Sequence, residues 1–289
     1  MLRVLVTGAS SPLGEAVCRS LKQAGSHVTG TVRSARAGWS SPHVDEVQLL
    51  DLEEAASFQH LTGSFDTAIH VAAASTGTPE QLMRVTGMGT LHLVTRLEAL
   101  EVPRVVMVSG MDVYGAIAVD TVGHLTPPRL QKPYGLAKWA AESYLLGMTP
   151  GMQGVSVRSP AILGARHTRH FLARTLSQMV AGDPTIRAHS PKHPFNNAVH
   201  EDTLADFLVK LAAADRLPDV QALVVGSTEP LPLEDVLDRL ARHACYGGKV
   251  EWIADGPRPF NIDLGHSLLC GFRPDPMFES LDRWLKALP

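Results

Sequence analysis

The chain has 289 residues, 45% of them hydrophobic and 19% charged, with a formal net charge of −3; this excludes a disordered chain and a basic nucleic-acid binder, and fits one α/β unit with a self-sufficient core. Three cysteines, Cys18, Cys245 and Cys270, form no CxxC pair, which excludes a disulfide framework and a thiolate metal site and leads to reduced thiols in a cytoplasmic protein as the expectation. No apolar run approaches the ~18 residues that cross a bilayer, and the first residues enter a strand at once, so neither a membrane span nor a signal peptide is expected.

Strand and helix alternate through the first half. Leu2 to Thr7 is an apolar run of strand length, and a helical pattern follows from Leu13 to Ala24. Further strands are predicted at His27 to Val32, Val44 to Leu50, Asp66 to Ala72, Arg104 to Ser109 and Val155 to Ser159. Helices are predicted from Glu80 to Leu100 and Pro133 to Leu146. The strands are continuously apolar, which suits a sheet covered on both faces, and the alternation implies right-handed crossovers and a doubly wound parallel sheet. After Ser159 the regularity fades. A short helix with Pro and Gly breaks fills Gly164 to Pro194, helix returns at Glu201 to Ala213, strand at Ala222 to Val225, and helix at Leu233 to His243 and Pro276 to Leu288. No repeat or long linker divides the chain, so residues 1–160 are expected to form mainly the large sheet and 161–289 mainly a small lobe on it, with the chain returning to the sheet, as one unit.

The first strand runs into Thr7-Gly8-Ala9-Ser10-Ser11-Pro12-Leu13-Gly14. Gly8 permits a tight turn, Gly14 lets the helix approach the strand, and Pro12 suits a first helical turn. Free N–H groups and the positive end of the helix dipole suit a pyrophosphate. In the dinucleotide fingerprint a middle glycine brings the phosphate close to the backbone; here that position is Ser11. An acid at the end of the second strand would bond the ribose of NAD, but this strand ends in Arg33 and Ser34, with Arg36 near. Arg33 can pair with a 2′-phosphate, so NADP(H) is expected ahead of NAD(H). Asp51, after the third strand, is a candidate for the adenine amino group and equally for a cap ahead of Glu53 and Glu54.

Of four tyrosines only Tyr134 has a lysine four residues on, Lys138. On a helix the two share a face. Free tyrosine, with a pKa near ~10, is a poor acid–base at neutral pH, and a nearby ammonium favours the phenolate. Such a tyrosine can pass a proton to or from a carbonyl oxygen as hydride moves.

The phosphate turn followed ~125 residues later by this pair resembles the short-chain dehydrogenase/reductase superfamily, and most closely its extended branch, the NAD-dependent epimerase/dehydratase family. His70 to Ala74, Gly89-Thr90, Val108 to Gly115, Arg158 to Gly164 and Val199 to Asp202 resemble further family segments in the family's order. The resemblance implies a Rossmann-like sheet with a small C-terminal substrate-binding lobe. It implies cofactor contacts from Gly8, Ser10, Ser11, Pro12, Leu13, Gly14, Arg33, Asp51, Leu52, Ala72, Ala73, Ala74, Tyr134, Lys138 and Pro160. Tyr134 would be the acid–base, and Lys138 would hold the nicotinamide ribose and tune it. It also implies a homodimer through the helices at 80–100 and 133–147. Leu82, Val85, Leu93 and Leu97 could supply that face or cover their own sheet.

Two departures matter. The family's Ser or Thr four residues before Tyr114 is Gly110 here, so Ser109 becomes the candidate hydroxyl, re-aimed if the strand bends. Pro194 to Asn197 lacks the arginine with which nucleotide-sugar members hold a diphosphate. Instead, Arg158, Arg166, Arg169, Arg174, Arg187 and Lys192 stand against the single acid Asp183, a local excess of five charges. With His167, His170, His189 and His193 this reads as a site for an anionic substrate, and the histidines lack compact metal-ligand spacing. The expected activity is NADP(H)-dependent reduction of a carbonyl, or its reverse, on a polar, anionic or nucleotide-sugar-like molecule. An epimerase or dehydratase that retains its cofactor is one alternative, and a regulator that binds cofactor without turnover is another.

Overall fold

The computed structural model describes residues 1–34, 39–147, 151–220 and 222–288; Arg36 lies outside them. The first half contains β1 (Arg3–Thr7), α1 (Pro12–Gln23), β2 (His27–Val32), β3 (Glu46–Leu49), β4 (Thr67–His70), α2 (Pro79–Leu82), α3 (Gly89–Ala99), β5 (Arg104–Gly110), β6 (Thr121–Val122), α4 (Pro133–Gly147) and β7 (Gln153–Ser159). The second contains β8 (Ala161–Leu163), α5 (Phe171–Val180), β9 (Thr185–Ala188), β10 (Pro194–Phe195), β11 (Ala198–His200), α6 (Glu201–Ala213), β12 (Ala222–Val224), β13 (Leu231–Pro232), α7 (Leu233–His243), β14 (Lys249–Trp252), β15 (Asn261–Ile262), α8 (Gly265–Leu269) and α9 (Met277–Ala287).

Seven parallel strands form the main sheet in the order β12-β7-β5-β4-β1-β2-β3. Its central strands are buried along most of their length because side chains alternate between two covered faces. In β1, Val4 and Val6 enter the core beneath α1 and α6, whereas Leu5 enters the core beneath α3 and α4. The edge strand β3 is shorter than the predicted 44–50 and leaves Val47 and Leu49 about half exposed. A third core, from α5, α7 and α9 around Trp284, belongs to the lobe.

The predicted helix 80–100 is built as α2 and α3 joined through a π-helical turn, Met83–Met88. Leu93 and Leu97 are wholly buried in the sheet's core, Leu82 is buried and Val85 packs against that core. Leu93 and Leu97, with Val85 in part, therefore cover their own sheet. Among the described residues no helix is long and apolar enough to cross a membrane.

Candidate active site

The turn after β1 has the form its residues predict. Ser11 N donates to Gly8 O at 2.9 Å, and Ser11 Oγ caps α1 by accepting from Gly14 N at 3.1 Å, with Pro12 opening the helix. Gly8 has a φ of +70°, and a Cβ there would stand 3.0 Å from Ala72 Cα and N. A Cβ on Gly14 would collide with Gly8 O. Both glycines are thus fixed by close approach, one to β4's end and one to the turn itself.

Gly8, Ser10 and Ser11 open onto a cleft of about 570 Å³. Arg33 and Ser34 line its far end, Asp51 and Leu52 another wall, and Ala72 to Ala74 the floor. The set fits a dinucleotide: a capped helix start with a glycine cradle too tight for a Cβ, a carboxylate, and an exposed arginine directly after β2. Asp51 does not cap the 3-10 helix Ala55–His60; its Oδ1 accepts from Glu53 N at 3.0 Å in a local turn. The floor is anchored by residues of the family-like segments and by Thr86, which the sequence did not single out. His70 bonds Thr7 Oγ1 at 2.7 Å and Thr90 Oγ1 at 3.0 Å, Ala72 N donates to Thr7 Oγ1, and Ala74 N donates to Thr86 Oγ1 at 3.1 Å. Burial, with Lys138's charge adding, pushes His70 down to about 3, so the link is a neutral one.

A chamber of about 280 Å³ continues from this cleft. Ser11, Pro12 and Leu13 line one side, Ser109, Gly110 and Asp112 the next, and Tyr134, Lys138 and Pro160 the rest. Tyr134 and Lys138 share a face of α4 as predicted. Lys138 is buried and its Nζ donates to Val108 O at 2.8 Å. Burial lowers its pKa to about 8, partly offset by Glu142 one turn on. Glu142 is itself wholly buried in an ion pair with Arg158, whose Nη2 lies 2.6 Å from Oε2, and Arg158 Nη1 also donates to Tyr114 Oη at 2.8 Å.

Two expectations are corrected in this chamber. Tyr134 is not tuned downward: burial, then the Asp112 carboxylate, push it up to about 12. Burial disfavours the phenolate most and the Asp112 carboxylate adds to it, while Lys138 Nζ bonds Val108 O. Nor does β5 bend at Gly110, whose backbone is extended at φ −140° and ψ 164°. Ser109 nevertheless lines the chamber, with its buried Oγ free of any hydrogen-bond partner among the described residues. Gly110 has room instead, since its added Cβ would meet nothing closer than 4.0 Å.

Beyond Pro160 and Ser75 the chamber opens into an outer cleft of about 820 Å³ under the lobe. The predicted basic stretch divides here. Arg158 is buried in the sheet, Arg166 pairs with Glu15 at 2.6 Å, Arg187 with Glu251 at 3.2 Å, and Lys192 with Glu234. The carboxylates come from elsewhere in the chain, so the excess of five charges is largely neutralised. Among the described residues Arg169 and Arg174 have no carboxylate partner, and only Arg169 of the two lines the cleft. No group of three or more His, Cys, Asp or Glu side chains among the described residues could hold a metal ion.

Residues 4–226 match the model of the NAD dependent epimerase/dehydratase family. A curated relative, 2-alkyl-3-oxoalkanoate reductase of Stenotrophomonas maltophilia (strain K279a), is 22% identical over 254 residues, covering 83% of this chain and 74% of the relative. The fold matches the UDP-glucose 4-epimerase of Thermus thermophilus in complex with NAD, at a TM-score of 0.78 and 21% identity over 99% of this chain and 98% of the other. It also matches the UDP-glucose 4-epimerase of Thermotoga maritima with UDP-glucose, at a TM-score of 0.81 and 16% identity over the same shares.

Proposed function

This chain belongs to the NAD dependent epimerase/dehydratase family, and on that footing we propose that it is an NADP(H)-dependent oxidoreductase reducing the carbonyl, or oxidising the alcohol, of a polar, anionic small molecule. One observation carries the reading: Tyr134 and Lys138 line a chamber that opens to the phosphate turn on one side and to the outer cleft on the other. A bound cofactor would supply or accept the hydride there. The N–H groups of the Gly8 to Leu13 turn would hold its pyrophosphate, Asp51 its adenine, and Arg33 its 2′-phosphate. Lys138 would hold the nicotinamide ribose, and Ser109 Oγ would orient the substrate oxygen.

The reductase activity of the curated relative supports reduction as the working direction. A second reading, an epimerase or dehydratase with retained cofactor, is favoured by the Asp112 carboxylate in the same chamber, a second group able to handle a proton. Cofactor that co-purifies and does not exchange would favour that reading.

Titrating NADPH and NADH onto wild type and Arg33→Ala tests the cofactor assignment. The wild type binds NADPH more tightly, and the variant loses on the order of tenfold of that preference, the scale of one charge-assisted contact. Equal affinities in the wild type would overturn it.

A further inference from the structure

Resting on the reductase reading, we propose that the substrate is an amphiphilic oxo acid: one carboxylate, a reducible carbonyl a few bonds away, and an alkyl or aryl group, in place of a nucleotide-diphosphate sugar. Charge is the first argument. Two cationic side chains of the basic stretch line the outer cleft, and Arg166 is already matched by Glu15. Arg169 is held by hydroxyls alone, with Nη1 2.9 Å from Ser75 Oγ and 3.4 Å from Thr76 Oγ1. A carboxylate can join that guanidinium without displacing a counter-ion. Ser75 also lines the chamber of Tyr134, so the charge stands at the passage between the two spaces. A diphosphate would bring two negative charges to Arg169, the one cation of the basic stretch among the described cleft-lining residues without a carboxylate partner, with the Asp112 carboxylate on the wall that the spaces share.

The wall is the second argument. Phe171, Phe195 and Phe260 line the cleft together with Met111, Ile162 and Leu172. Phe171 is 38% exposed at the first position of α5, an aromatic ring left facing the cleft. Such a surface is stabilised by covering it with apolar groups. The amide donors near the cleft are committed to backbone: Asn197 Nδ2 donates to Phe260 O at 3.1 Å and the buried Asn196 bonds Ile262 N and O, which leaves Asn197 Oδ1, without a partner among the described residues, as a single acceptor. With the carboxylate at Arg169 and the apolar group on the phenylalanines, the carbonyl reaches Tyr134. Its carbon gains the hydride of NADPH, its oxygen gains the tyrosine proton, and solvent returns that proton. The products are the hydroxy acid and NADP⁺, with the carboxylate unchanged.

Benzoylacetate and ethyl benzoylacetate differ by that carboxylate alone as far as charge is concerned. Calorimetric titration onto the full chain saturated with NADP⁺ should show the acid binding on the order of tenfold more tightly than the ester. Arg169→Gln should bring the ratio close to one, Arg169→Lys should keep part of it, and UDP-glucose should not compete. An acid-to-ester ratio near one in the wild type, or displacement of benzoylacetate by UDP-glucose, would overturn the proposal. Turnover is read separately: if neither compound consumes NADPH, the reductase reading fails, while the binding ratio still decides the substrate class.

Discussion

The chamber around Tyr134 and the cleft around Arg169 adjoin, yet they handle charge in opposite ways. Around the chamber, cations are buried and fixed: Lys138 bonds a backbone carbonyl, and Arg158 meets a carboxylate that is wholly buried. In the cleft, Arg166 meets Glu15 with about half of its side chain in solvent, and Arg169 meets only hydroxyls. Arg158 and Arg166 are eight positions apart in one basic stretch. The difference teaches that a run of charge along the chain says little about where charge acts. Burial decides which pairs hold the fold and which charges are left for a ligand.

The sharpest way to break the comparison is at the chamber. Tyr134→Phe keeps the ring and removes the proton, so turnover should fall by roughly 10²–10⁴-fold with NADPH affinity almost unchanged. Turnover at the wild-type rate would refute Tyr134 as the proton carrier. The two ion pairs come next. Glu142→Gln leaves Arg158 buried without its partner and should cost about 3–5 kcal/mol in a denaturant titration. Arg166→Ala should cost less than about 1 kcal/mol, as exposed pairs do. Similar losses in both variants would erase the distinction between the two regions. The smallest effect is expected from Gly110→Ser. The site has space for the side chain, so the variant should fold with unchanged stability and turn over at the wild-type rate or a few times faster. A fall in kcat would mean that Ser109 already fills the role and a second hydroxyl competes with it.

Legibility in the sequence follows the same divide. The phosphate turn, the Tyr134–Lys138 pair and α7 at 233–243 are set by local spacing, and each lies where the spacing predicts. Apolar runs were enough to locate the central strands, because both sheet faces are covered. What distance in sequence hides is the identity of partners. Glu15, Glu234 and Glu251 neutralise a stretch that looks strongly basic on its own, and burial, with Asp112 adding, shifts Tyr134 against the expected direction. The placement of Ser109 was likewise open, since strand alternation assigned its side chain to the face opposite Gly110, whereas both residues line the chamber.

The order of strands in the sheet bears on how the chain is made. β7 ends at Ser159 and its outer neighbour β12 begins at Ala222, so some sixty residues leave the ribosome between them. Until then β7 presents unpaired backbone along Ser156 to Arg158, on a strand whose Val155 and Val157 are fully buried in the finished molecule. An open parallel edge of that kind is a template for pairing with other chains, and parallel pairing at long sequence separation is slow. The nascent protein therefore passes through an aggregation-prone interval that closes only when β12 docks, and nascent chains halted within α6 are the ones to which chaperones should bind most persistently.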